Sequence, residues 1–325
     1  MVAASKAHLG LTLLLALSVA CGGDSNSAGD ASCSGSNCVA ADGGDSDGRP
    51  TDGGAKCVGT LPAQWNTGGG NCPEPDFEIH RYDRDTYILR QSLCTSFEAP
   101  FLHLWFGEGV ALLEDTGDGG VDVVGAVDSA IATWRGETGN AEPALIVLNS
   151  HGHGDHTAGN GAFRNRPNTT VVGATVADIR AYFGIANYPE DSATLDLGGG
   201  RVIDVIGIPG HQTAHIALLD RRRGLLLTGD TLYPGRLYIS DFGDFRTSID
   251  RLLSATASEE ICHVLGTHIE LSNLPGDEFP VGSQSHPGER ALELSRAHLV
   301  ELSQALAAMA GSPQRETHDD FVIVP

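Results

Sequence analysis

Three histidines and one aspartate fall within six consecutive positions, directly after an apolar run of strand length at Ala144 to Leu148. They are His151, His153, Asp155 and His156. Imidazole nitrogens and carboxylate oxygens suit Zn²⁺, Fe²⁺ and Mn²⁺ as ligands, and the glycines interleaved here let the backbone turn so that neighbouring side chains converge. The pattern predicts a strand that delivers its end into a metal site. Four ligands so close together indicate more than one metal ion.

Three further metal-binding side chains follow apolar runs in the same way. His211 follows Val202 to Ile208, Asp230 follows Leu225 to Thr228, and His268 follows Ile261 to Leu265. The arrangement therefore occurs four times along one chain, which is hard to produce by chance. We predict that the ends of these strands bring seven metal-binding side chains into one site.

These residues resemble the ligand motifs of the metallo-β-lactamase superfamily, and the resemblance covers roughly residues 77 to 285. It implies two metal sites that share a bridging aspartate. The ligands are His151, His153 and His211 for one metal, Asp155, His156 and His268 for the other, and Asp230 between them. It also implies that Asp115, in the turn Glu114 to Gly117, supports the ligand loop, and that His215 is a core or supporting residue.

The resemblance implies hydrolysis by two Zn²⁺ ions per chain, with iron or manganese as alternatives. A metal-bridging hydroxide would attack an ester, thioester, lactone or lactam carbonyl, and Asp155 would pass a proton to the leaving group. The presence of an aspartate at position 230 makes the chain look closer to hydroxyacylglutathione hydrolases and lactonases than to true β-lactamases. Tyr233, three residues further on, is a candidate catalytic group that would contact a substrate oxygen, and its alternative is a packed aromatic residue.

Two other interpretations of the same fold remain open. A mononuclear iron dioxygenase of persulfides would use a site of two histidines and one aspartate, such as His151, His211 and Asp230. A non-catalytic surface binding module would keep the fold without the reaction. The metal that is bound, and its ratio to the chain, would separate these interpretations.

Aromatic residues in two long connections are predicted to form the substrate pocket. They are Tyr233, Tyr238, Phe242 and Phe245 in one connection, and Tyr182, Phe183 and Tyr188 in the other. Because lysine is nearly absent, a substrate carboxylate would be held by Arg236 or Arg246. The sequence departs from the family after His268, where Ile269 and Glu270 replace a common glycine.

The order of elements predicts an α/β fold. Four short alternating segments indicate an antiparallel meander, and strands then alternate with helical segments. The resemblance implies an αββα sandwich, in which two mixed sheets are covered by helices, preceded by a disordered N-terminal tether. A final helix is expected to start near Pro287 and end at Gly311. The tail from Phe321 to Val324 is expected to dock as an edge strand, with a disordered end as the alternative.

The N-terminus predicts export. Residues 1–20 have the pattern of a signal peptide, residues 21–71 form a linker rich in Gly, Ser and Asp, and residues 72–325 form the metallo-β-lactamase-type domain. The segment before Cys21 resembles a lipobox, which predicts either a membrane-anchored bacterial lipoprotein, in the periplasm or at the cell surface, or a secreted protein after ordinary cleavage. The membrane would be a partner only through that lipid.

The net charge limits the possible binding partners, and the cysteine count limits the possible disulfides. A net charge of −22 argues against nucleic acid, so the expected partner is a small-molecule substrate; the oligomeric state is not predicted. If Cys21 carries lipid, six cysteines remain for disulfides, with fifteen possible connectivities. The pairing expected here is Cys33 with Cys38, Cys57 with Cys72, and Cys94 with Cys262.

Overall fold

The computed structural model describes residues 56–309 and 311–325. The expected signal peptide, Cys21 and most of the expected tether lie outside these residues. All described residues belong to the second of the two units into which the chain divides, Asp52–Pro325. Within the described ranges, no helix has the length and apolar character needed to cross a membrane.

The first sheet contains six strands that follow one another in sequence order. They are β1 (Phe77–Asp83), β2 (Thr86–Gln91), β3 (Phe101–Phe106), β4 (Val110–Glu114), β5 (Ala144–Leu148) and β6 (Thr169–Val171). The first four form the expected antiparallel meander, whereas β5 and β6 join in parallel. Helix α1 (Val123–Thr138) makes the crossover between β4 and β5, as a parallel pairing requires.

The second sheet also contains six strands and is also mixed. They are β7 (Ala193–Asp196), β8 (Val202–Gly207), β9 (Ile216–Asp220), β10 (Leu225–Gly229), β12 (His263–Gly266) and β13 (Glu293–Leu294), and a separate strand, β11 (Arg236–Tyr238), lies between β10 and β12 in the chain. The order across the sheet is β13-β12-β10-β9-β8-β7. Only the pairing of β10 with β12 is parallel. The expected pair of mixed sheets is therefore confirmed.

The buried apolar side chains lie between four layers, in the order helix, sheet, sheet and helices. The inner faces of the two sheets share one core, which includes Trp105 of the first sheet and Leu218 of the second. The outer face of the first sheet packs on α1 through Trp134. The outer face of the second sheet packs on α5 (Phe242–Ala255) and α6 (Arg296–Ala308). This is the expected αββα sandwich.

The remaining helices are short and lie in the connections between strands. They are α2 (Gly154–Thr157), α3 (Asn160–Phe163) and α4 (Val176–Phe183). The side chain of Thr175 caps α4, and Gly184 ends it in the left-handed conformation, as the sequence indicates.

Two predictions for the C-terminal region are wrong. Helix α6 begins at Arg296 rather than near Pro287, because β13 occupies residues that the apolar spacing had assigned to the helix. The tail forms β15 (Val322–Val324), which lies between β11 and β14 (Glu316–Thr317). It is therefore the central strand of a small third sheet and not an edge strand.

The N-terminal boundary and the disulfide pairing also differ from expectation. The structure forms Cys57–Cys262 and Cys72–Cys94, so the expected pairings of these four cysteines are wrong; Cys33 and Cys38 lie outside the described residues. Trp65, which is 5% exposed, packs edge-on against Phe101. Residues 57–71 are thus part of the folded domain, and the predicted domain start at residue 72 is too late.

A buried arginine joins the two sheets. Arg201 donates from Nε to Asp220 in the second sheet at 2.8 Å and from Nη1 to the carbonyl of Phe106 in the first at 3.0 Å. Its guanidinium also lies over the ring of Trp105. Arg201 and Asp220 are 2% and 0% exposed, so each depends on the other to offset the loss of hydration.

We expect Arg201→Ala to lower the free energy of unfolding by about 3–5 kcal/mol, because it leaves the Asp220 carboxylate buried without its partner. Urea denaturation followed by circular dichroism measures the change. Arg164→Ala is the matched control, since Arg164 is exposed and its loss should change stability by less than about 0.5 kcal/mol. Equal stability of the two variants would contradict the role assigned to Arg201.

Candidate metal centre

The ends of four strands carry all seven predicted ligands to one place. His151 and His153 follow β5, and Asp155 and His156 lie on α2 directly after them. The other three follow strands of the second sheet: His211 comes after β8, Asp230 after β10 and His268 after β12. Both sheets therefore contribute to the site, which lies at the shared edge where these strands end.

The seven side chains form two groups that share one member. The first cluster is His151, His153, His211 and Asp230, and the second cluster is Asp155, His156, Asp230 and His268. Within each cluster, one nitrogen or oxygen from every side chain lies within 4.8 Å of the others. This is the grouping that the sequence predicts for two metal ions.

The distances within the second cluster fit tetrahedral zinc. Ligand atoms about 2.1 Å from a tetrahedral ion stand about 3.4 Å from one another. Here Nε2 of His268 lies 3.4 Å from Oδ2 of Asp155 and 3.4 Å from Oδ1 of Asp230, and Nε2 of His156 lies 3.2 and 3.4 Å from the same oxygens. Oxygen and nitrogen donors at this spacing match the coordination shell of a divalent ion.

Asp230 faces both clusters with different oxygens. Its Oδ1 points to the second cluster, and its Oδ2 lies 3.5 Å from Nε2 of His211 and 3.8 Å from Nε2 of His151 in the first. Among the described residues, Oδ1 of Asp230 and Nε2 of His156 are buried side-chain atoms without a hydrogen-bond partner. Buried polar atoms rarely stay unsatisfied, so these two atoms mark a place that fits a cation.

Electrostatics of the ligand atoms support the same conclusion. Burial raises the pKa of Asp230, but His156 and His268 outweigh it and hold that pKa well below its ordinary value. Burial lowers the pKa of His156, but Asp230 and Asp115 outweigh it and raise that pKa well above its ordinary value. Burial lowers the pKa of His151 well below its ordinary value. The aspartate is thus ionised, and positive charge is favoured beside it.

Backbone carbonyls orient two of the histidines from outside the site. Nδ1 of His268 donates to the carbonyl of Glu98, and Nδ1 of His211 donates to the carbonyl of Tyr238, each at 2.8 Å. A histidine ligand needs such a partner, because the hydrogen bond fixes the tautomer and leaves Nε2 free for the metal. The sequence could not identify these carbonyls, since every residue has one.

Asp115 holds the ligand loop through a buried network. Its carboxylate accepts from Nδ1 of His156 at 2.7 Å, from the backbone N–H of Ser150 at 2.7 Å and from the hydroxyl of Ser150 at 2.8 Å. Asp115 is fully buried and has φ of 63°, a left-handed conformation that costs free energy in a residue other than glycine. The supporting role implied by the resemblance thus agrees with the geometry. Ser150 is a member of this network that the sequence analysis missed.

Two glycines allow the backbone directly before a ligand to pack closely against neighbouring residues. At Gly229, directly before Asp230, an added Cβ would lie 2.4 Å from Nε2 of His215. At Gly210, directly before His211, it would lie 2.4 Å from the backbone of Phe245, and φ is 136°. A side chain at either position would displace a ligand, because atoms cannot approach so closely.

Tyr233 and His215 lie behind the ligand atoms. The Tyr233 ring packs edge-on against His268, its hydroxyl donates to the carbonyl of Arg236, and the side chain is 2% exposed. This arrangement fits the packed aromatic residue better than a substrate contact. His215 is fully buried and belongs to neither cluster.

A pocket adjoins the metal centre on the side of His211 and His268. Its lining includes Glu98 and Tyr238, whose carbonyls hold these two histidines, and Arg236. The remaining lining residues are Phe97, Glu270, Phe279, Pro280, Val281, Gly282, Ser283 and His286. Most of the wall therefore comes from two segments, around residue 97 and from 279 to 286, that the motif analysis did not single out.

The predicted substrate-binding residues are only partly found in this pocket. Tyr238 and Arg236 line it, but Arg236 is already paired with Glu270 and Glu278. The other predicted wall residues and the second candidate arginine are not part of its lining, namely Tyr182, Phe183, Tyr188, Tyr233, Phe242, Phe245 and Arg246. Phe245 lies on α5 and is fully buried in the core, because this segment is a helix and not an open connection.

We expect Asp115→Ala to weaken zinc binding by about 10- to 100-fold, because His156 and Ser150 lose the acceptor that orients the ligand loop. Competition with a chromophoric chelator measures the zinc affinity. Asp128→Ala is the matched control, because Asp128 pairs with Arg166 on the surface of α1. An unchanged zinc affinity in Asp115→Ala would show that the loop holds its shape without this carboxylate.

We expect Tyr233→Phe to lower kcat by no more than about threefold, whereas a group that transfers a proton would be worth about 10²–10⁴-fold. Loss of the buried hydroxyl should instead lower the free energy of unfolding by about 1 kcal/mol. Steady-state kinetics and thermal unfolding of the same preparation measure the two effects. A loss of kcat beyond 100-fold with unchanged stability would restore the catalytic role that the sequence suggested.

Comparison with known proteins agrees with this site. A family model described as the metallo-β-lactamase superfamily matches residues 139–262. A protein named hydroxyacylglutathione hydrolase from Chromohalobacter salexigens is 32% identical over 184 residues, which are 50% of this chain and 70% of the relative. The protein of the same name from Methylococcus capsulatus is 33% identical over 159 residues, 47% of this chain and 59% of the relative. A third, from Thiobacillus denitrificans, is 27% identical over 170 residues, 51% of this chain and 60% of the relative.

The chain thus spans about three fifths of the length of the last two relatives. Among solved structures, a metallo-β-lactamase from Pseudomonas aeruginosa in its mono-zinc form superposes with a TM-score of 0.50 at 12% identity, covering 74% of this chain and 98% of that one. That likeness concerns the fold alone. Sequence, fold and ligand set agree, and this chain belongs to the metallo-β-lactamase superfamily, as a member of the type represented by the hydroxyacylglutathione hydrolases.

Proposed function

We propose that this protein is a hydrolase that binds two zinc ions and cleaves an ester or thioester bond. One observation carries the proposal: the two oxygens of Asp230 face two separate and complete sets of ligand atoms. A mononuclear site would need only one of these sets. The second set favours a two-metal hydrolase over the mononuclear iron dioxygenase.

Each of the two clusters would hold one metal ion. His151, His153 and His211 would hold one ion, Asp155, His156 and His268 the other, and Asp230 would bridge them. When bound, zinc supplies a Lewis acid for the substrate carbonyl and a hydroxide nucleophile at neutral pH. The negative charge of Asp230 would offset part of the repulsion between two bound cations.

Asp155 is the residue best placed to move a proton. Its carboxylate is 18% exposed, more than those of the other buried ligands, and its Oδ2 lies between His156 and His268. Burial raises its pKa, but the neighbouring imidazoles of His156 and His268 outweigh it and hold the pKa well below the ordinary value. We assign Asp155 two roles, as a ligand of the second ion and as the carrier of a proton to the leaving group.

Sequence similarity favours a thioester among the bonds that this site could cleave. The similar proteins are named for hydrolysis of hydroxyacylglutathione, whose scissile bond is a thioester. Lactones and lactams present the same kind of carbonyl and belong in the same substrate panel.

Export is part of the proposal. Two disulfides, Cys57–Cys262 and Cys72–Cys94, support an oxidising compartment, as does the signal-like pattern of residues 1–20. Whether Cys21 carries a lipid would be decided by mass spectrometry of the mature N-terminus, compared with that of Cys21→Ser.

Elemental analysis tests the metal assignment. We expect about two zinc ions per chain in the wild type and about one in His268→Ala, because the second cluster loses a ligand while the first stays complete. Asp230→Ala should also approach one, because both clusters lose their shared ligand. His318→Ala is the control, since His318 lies on the far C-terminal segment and pairs with Glu301. One iron, retained in His268→Ala and lost in Asp230→Ala, would contradict the proposal and favour the dioxygenase.

Activity provides the second test. Zinc-loaded protein should hydrolyse acyl thioesters, and removal of the metal with a chelator should abolish the reaction until zinc is returned. Asp155→Asn should lower kcat by about 10²–10⁴-fold. No hydrolysis of any thioester, ester, lactone or lactam by protein that contains two zinc ions would favour the non-catalytic binding module.

A further inference from the structure

The pocket beside the metal centre has a composition that selects for charge. Its volume is about 70 Å³, well below the roughly 300 Å³ or more of a pocket that encloses a whole ligand. It therefore suits one small group of a substrate whose scissile carbonyl lies at the metals. Three aromatic side chains contribute to its wall, Phe97, Tyr238 and Phe279, and the first two are 44% and 42% exposed.

The basic side chains of the pocket, Arg236 and His286, are already paired with glutamates. Arg236 lies 2.5 Å from Glu278 through Nε and 3.1 Å from Glu270 through Nη1, and its Nη2 donates to the carbonyl of Phe279. Nδ1 of His286 lies 3.1 Å from Glu289, which is itself paired with Arg90. A substrate carboxylate in this pocket would have to compete with protein carboxylates for both groups.

One negative charge of the pocket lacks such a partner. Among the residues that the structure describes, no side chain forms a hydrogen bond or ion pair with the carboxylate of Glu98, although its backbone carbonyl holds His268. The residue is only partly buried, so the carboxylate contributes to the pocket that it lines. Aromatic faces together with an unpaired carboxylate form the kind of site that binds ammonium groups, through cation–π attraction and charge.

We infer, on the basis of the proposed function, that this pocket binds a small apolar cationic group of the substrate, such as a substituted ammonium, and that Glu98 determines this specificity. An anionic leaving group would meet Glu98 and Glu270 without a free cation to hold it. A glutathione thioester, whose two carboxylates and one unsubstituted ammonium group give it a net negative charge, would accordingly be a poor substrate despite the names of the similar proteins.

Matched thioesters test the inference. Butyrylthiocholine and the S-butyryl ester of 3-mercaptopropionate share an acyl group and differ in the charge of the leaving thiol, and S-propyl thiobutyrate is the neutral reference. With zinc-loaded wild type, kcat/KM should be at least about tenfold higher for the cationic than for the anionic ester, which corresponds to ~1.4 kcal/mol. Release of the thiol, detected with a chromogenic disulfide, gives the rate.

Two substitutions change the charge of the pocket while keeping the ligands. Glu98→Gln retains the carbonyl that holds His268 and should lower the cationic-to-anionic ratio by about tenfold. Val281→Lys, at a position that is 72% exposed, should lower it further by adding a cation without disturbing the core. Glu108→Gln is the matched control, because Glu108 is exposed beside the Gly198 turn and outside the pocket; its ratio should equal that of the wild type.

Binding of butyltrimethylammonium to the zinc-loaded protein, measured by calorimetry, separates failure of this inference from failure of the proposed function. Binding that weakens about tenfold in Glu98→Gln supports the pocket even if no thioester is cleaved, in which case the hydrolase proposal fails. Thioester hydrolysis with a ratio near one, or with a ratio that Glu98→Gln leaves unchanged, overturns the inference and leaves the hydrolase proposal standing.

Discussion

The structure depends on one buried carboxylate, Asp230, which must face two groups of imidazoles at once. Its two oxygens lie 3.4 to 3.8 Å from four histidine nitrogens. An ionised carboxylate buried this deeply is costly unless positive charge surrounds it. The neighbouring glycine, the parallel pairing of β10 with β12 and the packing of Tyr233 behind His268 all serve to place this one group.

The ligand set could be predicted from the sequence because each ligand directly follows a strand. A strand end needs no long-range information: an apolar run followed by His or Asp is visible within about eight residues. The two mixed sheets were predictable for a similar reason, since the meander and the later alternation of strands and helices appear in order along the chain. The clustering of His151, His211 and Asp230 therefore required only that their strands share one edge of the sandwich.

Features that depend on distant contacts could not be predicted in this way. Cys57 pairs with Cys262 across 205 positions, and no local pattern in the sequence selects one of the fifteen connectivities that six cysteines allow. Contacts between residues far apart in the sequence also determine three other features. They are the place of Trp65 in the core, the pairing of Arg236 with two glutamates and the central position of β15. The C-terminal helix was misplaced because apolar spacing alone does not separate a helix from a strand that precedes it.

The similarity to other proteins indicates the type of reaction far better than it indicates the substrate. The family model ends at residue 262, whereas the pocket is lined by residues 97, 98, 236, 238, 270, 279–283 and 286. At the end of the segment from 279 to 286, His286 is held by its backbone bond to Thr67 and by Glu289, which pairs with Arg90. Strand ends thus position the candidate metal ligands, whereas the pocket is lined mainly by residues of the connections between strands. Two proteins with the same metal centre can for this reason differ in the charge of the molecules they accept, because the catalytic and the selective residues lie on separate parts of the chain.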